Sequence, residues 1–120
     1  MKEVKEWSEK AEKDLKRAEL LFSNEDFEGC AFHSHQAAEK ALKALYILKF
    51  KRLWKIHDLK LLAEKVKAPI KIIEIGDRLN PYYIEMRYPI GVICTREMGG
   101  ESIQDAEKVI KWVKEKLQKK

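Results

Sequence analysis

Apolar residues recur every three or four positions in Val4, Trp7, Ala11, Leu15, Ala18, Leu21 and Phe22, a single helix face sustained for about five turns. Ser23-Asn24 then supplies the residues of a cap or turn. A second, longer helix is expected from about Phe27 to Lys49. One of its sides carries Phe27, Cys30, Ala31, Ser34, Ala38, Ala41, Leu42, Leu45 and Leu48. Small residues dominate that side, which lets a neighbouring helix approach closely. Gly29 falls in the first turn, where its poor helix propensity costs least.

Beyond a connector from Phe50 to Ile56, His57-Asp58 can cap a short third helix with Leu59, Leu62, Ala63 and Val66 inward. Pro69 fits the first turn of a fourth helix with Ile70, Ile73 and Leu79 inside. Asn80-Pro81 ends or kinks it and starts one more turn, PYYIEMR. Pro89, Gly91, Gly99 and Gly100 make Tyr88 to Gly100 read as a loop. Ser102 is expected to open the last helix, with Asp105 three residues on as a short-armed capping box. Its buried stripe is Ala106, Val109, Ile110, Val113 and Leu117. The pattern calls for no strand and shows no repeat. It predicts one all-α domain over residues 1–120, an up-down antiparallel bundle of four main helices with an additional short helix.

On the other side of the second helix lie Phe32, Gln36, Lys43, Ile47 and Phe50, close to Lys40. That amphipathic face is either a dimer or partner surface with polar groups lining a site, or a face covered by the chain's own helices. Composition adds a charge asymmetry. The net charge is +5, yet Glu39 to Lys71 holds ten Lys or Arg against three acids, so the remainder is net acidic. Such a field attracts phosphates or an acidic surface, or serves only as a solvated face. No run of about 18 apolar residues suggests a membrane span. The N-terminus, MKEVKEWSEKAEKD, alternates charge where a signal peptide would be apolar. With only Cys30 and Cys94, a cytoplasmic protein with reduced thiols is expected. His33 and His35 are two residues apart, about 200° around a helix, so they do not share a metal, and no metal site or cofactor is expected. His35 reads as a packed, hydrogen-bonded residue.

Three ordered segments carry a family resemblance. The helix text from Phe27 to Ala44, FEGCAFHSHQAAEKALKA, His57-Asp58-Leu59, and the segment from Tyr82 to Pro89, YYIEMRYP, resemble the corresponding stretches of the HEPN domain. Trp7 with the segment from Ala11 to Leu15, and the closing helix from Ala106 to Trp112, are similar as well. The resemblance implies a four- to five-helix bundle, commonly a homodimer, often encoded beside or fused to a minimal nucleotidyltransferase whose nucleotide- or substrate-binding partner it has been described to be. Many such domains form toxin–antitoxin pairs in which the HEPN subunit is a metal-independent RNase. That RNase uses an Arg-x4–6-His motif after the fourth helix. There Arg steadies the phosphorane, and His handles the 2′-hydroxyl proton.

Arg87 matches the family's arginine, but Tyr88 to Cys94 contain no histidine, so the motif is broken. A literal Arg52-x4-His57 match lies before the third helix, where His57 is either a weak catalytic candidate or a helix-capping residue. Arg87 is the other weak catalytic candidate. Candidate ligand or phosphate contacts are Arg87, Lys43, Lys40, Gln36, Arg52 and Tyr83. The expected role is a non-catalytic HEPN-type subunit that binds a nucleotide or a nucleotidyltransferase partner, within a toxin–antitoxin-like pair. The alternatives are a metal-independent endoribonuclease with a degenerate motif, in which Arg87 holds phosphate and His57 or His35 moves the proton, and a structural homodimeric adaptor.

Overall fold

The chain was studied as a computed structural model that describes residues 1–85 and 93–119. It is all-helical: α1 Lys2–Ser23, α2 Phe27–Phe50, α3 Leu59–Lys65, α4 Ile70–Leu79, α5 Pro81–Glu85 and α6 Arg96–Gln118. The expected bundle is present, with α1, α2, α4 and α6 as main helices and α3 as the short one. None of the described helices is long and apolar enough to cross a membrane.

α2 sits at the centre. Cys30, Ala31, Ala37, Ala38, Ala41, Leu42, Ala44 and Leu45 are all buried, so other helices close on it from several sides. Asp26 caps its start by accepting from the Gly29 amide at 2.9 Å. The turn to α2 leaves α1 antiparallel to it. α6 runs alongside α2 in the same direction: the Ser34 and Ser102 hydroxyls are hydrogen-bonded at 3.0 Å near one end, and Leu117 packs against Ala44, Ile47 and Val4 at the other. Leu59, Leu62, Ile72, Ile75 and Leu79 of α3 and α4 complete the core.

Several local expectations are corrected. α6 begins at Arg96, so Gly99 and Gly100 belong to a helix and not to the loop. Thr95 is the cap, accepting from the Met98 amide at 3.1 Å, and Gly99 lies close against Phe22 and Phe27. Ser102 and Asp105 are therefore no capping box: Ser102 bonds the Gly99 carbonyl at 2.7 Å, and Asp105 pairs with Arg78 at 2.9 Å. Asp58, not His57, caps α3 by accepting from the Leu61 amide at 3.2 Å. Pro69 precedes α4 as its cap, which turns Ile70 outward to 65% exposure. The first part of the loop expected from Tyr88 onward, residues 88–92, and the end of the PYYIEMR turn lie outside the described residues.

Candidate functional site

The second face of α2 is largely covered by the chain itself. Lys43 and Ile47 are buried, Phe32, Gln36 and Lys40 half-buried, and Phe50 exposed. Two buried carboxylates nonetheless need an explanation, one on α2 and one facing it from α1.

The first is Glu39. Its carboxylate is buried and accepts from Lys43 Nζ at 2.9 Å, while its other oxygen stands 2.9 Å from His57 Nδ1. The Lys43 ammonium also lies 5.7 Å from the centre of the Trp7 ring, a further cation-stabilising contact. Lys43 is thus spent inside the fold and is not open to a ligand. A carboxylate at Nδ1 fixes that nitrogen as the donor and turns Nε2 outward. His57 keeps 48% of its side-chain surface exposed.

His35 closes the cluster from below. It is fully buried, and its Nε2 lies 3.1 Å from the His57 carbonyl, to which it donates. Burial depresses its pKa below the ordinary value despite the nearby charge of Glu39. A neutral ring donating through Nε2 has a lone pair at Nδ1, where the Gln36 amide stands at 3.2 Å. The pair is satisfied with the Gln36 amide nitrogen turned toward the ring. A prediction follows from this depressed pKa. As pH falls below about 6.5, the unfolded chain takes up a proton before the folded one does, so stability declines until the folded-state pKa is passed. Urea midpoints followed from pH 7.5 to 5 will fall less steeply for His35→Gln than for the wild type.

Tyr83 of α5 stacks on His57, with ring centres 4.2 Å apart and planes 14° apart. Behind Tyr83 lies Phe32, at 6.2 Å and 22°. Asn80, at the end of α4, accepts from the Leu59 amide at 2.7 Å and donates to Asp58 at 2.9 Å, tying α4 to the start of α3. Together His57, Asp58, Asn80, Tyr83 and Ile84 line an open cleft of about 300 Å³. It offers an aromatic wall, a ring nitrogen and carboxylate and amide edges.

The second buried charge is Asp14 of α1, 1% exposed. It accepts from Lys40, from Arg17 at 3.0 Å and from His33 Nδ1 at 3.1 Å. Burial by itself would raise its pKa; Lys40, His33 and Arg17 outweigh that and hold the carboxyl below its usual value. The two α2 histidines therefore serve opposite walls, His33 toward α1 and His35 toward the α3 connector.

Of the candidates read from sequence, the structure brings Tyr83 and His57 together in one cleft, leaves Gln36 beside His35 and sets Lys40 against Asp14 of α1. Arg52 is remote from these; it lines a separate cleft with Tyr46, Phe50, Trp54 and Lys65. Arg52 and His57 do not share a cleft. Arg87 lies outside the described residues. Asp14 and Glu39 were missed. Only Asp14 carries a recognisable signal of burial, since it stands between Ala11 and Ala18 on the apolar period of α1, whereas Glu39 has His35, Gln36 and Lys43 for helical neighbours.

A model of the HEPN domain family matches residues 4–116. Across its whole length the chain is 27% identical to a protein of Methanocaldococcus jannaschii named "Putative toxin MJ1304", of which the match covers 91%. The crystal structure of TT1696 from Thermus thermophilus superposes with a TM-score of 0.87 at 28% identity, covering 97% of this chain and 99% of that one. That of ST0689, described as an archaeal HEPN homologue, gives 0.83 at 29% identity, with 97% and 98% covered.

Proposed function

The chain belongs to the HEPN domain family, and on that premise we propose that it is a HEPN-type subunit that binds a nucleotide in the His57–Tyr83 cleft without transforming it. The observation that carries this reading is the near-coplanar stack of His57 on Tyr83 beside Asp58 and Asn80. A nucleobase needs an aromatic face to lie on and fixed donors and acceptors at its edge, and this cleft has both. The nucleotide is either free or presented by a nucleotidyltransferase partner, in a toxin–antitoxin-like pair; the name carried by the Methanocaldococcus relative fits that setting. A homodimer is the proposed assembly, and a cytoplasmic location goes with it.

Titration calorimetry with AMP and ATP tests the reading. Loss of one stacking partner costs about 1–3 kcal/mol, so Tyr83→Ala should weaken binding by about tenfold or more. The reading fails if no nucleotide binds and no nucleotidyltransferase co-purifies with the protein.

A second reading is favoured by one contact, Glu39 on His57 Nδ1 at 2.9 Å. A carboxylate-held imidazole whose Nε2 has no partner among the described residues is the arrangement of a general base. Nε2 would take the proton of an RNA 2′-hydroxyl as its oxygen attacks the adjacent phosphorus, and would return it to the departing 5′-oxygen. No metal is needed. RNA cleavage abolished by His57→Ala and retained by Tyr83→Phe would select this reading. If the wild type, freed of any partner, leaves RNA intact, it is wrong and the binding reading stands alone.

A further inference from the structure

On the wall of α2 away from His57, Lys10, Lys13 and Arg17 of α1 and Lys40 of α2 line a concave cleft of about 270 Å³. Among the described residues, no other lines it. The spacing explains how it forms: positions 10, 13 and 17 fall on one stripe of α1, and the buried Asp14 pins Lys40 across the helix gap to the same place. Arg17 and Lys40 are partly neutralised by Asp14. Lys10 and Lys13 are exposed and make no ion pair among the described residues. Glu6 and Glu9 stand beside Lys10 and Lys13 in the adjoining cleft. Four cations thus line the cleft, with the buried Asp14 beneath two of them and Glu6 and Glu9 in the adjoining cleft.

We infer that this cleft binds the phosphate chain of a polyphosphate, and in particular of a nucleoside triphosphate. Charge density decides between ligand classes. A triphosphate concentrates about four negative charges in a space of this size. An acidic protein surface or an RNA strand brings one charge per residue or per nucleotide, and neither can seat more than one or two in it. Lysine ammoniums meet phosphate oxygens as mobile point charges, and Arg17 adds a planar fork. Asp14 lies beneath the cation heads, 1% exposed, and acts as the anchor that gathers them. The inference rests on the nucleotide reading above in taking phosphate as the relevant chemistry, but the site is a different one.

The test separates the two. Inorganic tripolyphosphate has no base, and adenosine has no phosphate. Calorimetry should show tripolyphosphate and ATP binding the wild-type chain, with AMP at least about tenfold weaker than ATP. The double variant Lys10→Ala/Lys13→Ala removes two exposed, unpaired side chains, so its urea midpoint should match the wild type. It should lose at least about tenfold for tripolyphosphate and leave adenosine unchanged, whereas Tyr83→Ala does the reverse. The inference is overturned if tripolyphosphate does not bind, or binds the double variant as it binds the wild type. It is equally overturned if single-stranded RNA binds more tightly than tripolyphosphate through Lys10 and Lys13. Failure of adenosine binding alone would instead count against the His57–Tyr83 cleft.

Discussion

Glu39→Ala will be strongly damaging, lowering the unfolding free energy by about 3–5 kcal/mol. The cause is what remains behind. Lys43 is 4% exposed, and its ammonium would keep the Trp7 ring and lose the carboxylate 2.9 Å away. A buried ion deprived of its partner costs far more than the pair ever contributed, and small domains have only about 5–15 kcal/mol in total. Two companion variants test that cause. Glu39→Gln keeps one acceptor oxygen for Lys43 and presents its NH2 to His57 Nδ1, which can accept in its other tautomer, so it should cost about 1–3 kcal/mol. The double replacement Glu39→Leu/Lys43→Met leaves no orphaned charge, so much of the loss should be recovered. Urea denaturation measures all three; a Glu39→Ala cost below about 1 kcal/mol would show that Lys43 can reach water. The double variant is also informative about function. It restores the core without restoring the carboxylate on His57 Nδ1, so a folded protein that no longer orients His57 separates packing from the site.

The helices were largely legible because burial in a bundle imposes one period on each of them. Val4 through Phe22 and Ala106 through Leu117 read as stripes; the structure buries or half-buries every residue of the first and fully buries all of the second but Leu117. The exception, the start of α6, shows what periodicity misses. Gly99 and Gly100 signal a loop by propensity, yet Thr95 caps a helix there and the glycines pack beside Phe22 and Phe27. The site was half legible. The helical angle alone places Lys43 on the outer face of α2, which is correct, but the angle does not reveal that Trp7 and Glu39 cover it. His57 reads in sequence as a cap with its chain neighbour Asp58, whereas its partner is Glu39, eighteen residues away. The cation stripe of α1 was hidden by the acids alternating with it; only when Asp14 draws in Lys40 does the stripe become one wall of a cleft.

Gly76→Ala should destabilise the protein by about 2 kcal/mol, although alanine is the better helix former. A Cβ at this position would lie 2.9 Å from the Leu59 carbonyl carbon, 3.0 Å from its oxygen and 3.0 Å from the Lys60 nitrogen. All three are backbone atoms, so no side chain can swing aside. Overpacking of this kind costs about 1–3 kcal/mol or more, against a gain of about 1 kcal/mol in helix propensity. Gly100→Ala is the matched control. Its Cβ would meet only the Phe22 ring at 3.6 Å, an ordinary contact, and the propensity gain should appear as added stability of about 0.5–1 kcal/mol. The Gly76 contact also bears on the candidate site. Pushing α4 away from Leu59 strains the two Asn80 bonds, to the Leu59 amide and to Asp58, that hold the floor of the cleft. Gly76→Ala should therefore weaken adenosine binding while leaving tripolyphosphate binding, on the far wall of α2, as it was. Loss of both ligands together would mean that the substitution acts by general unfolding, and an unchanged urea midpoint would mean that α3 and α4 can part without cost.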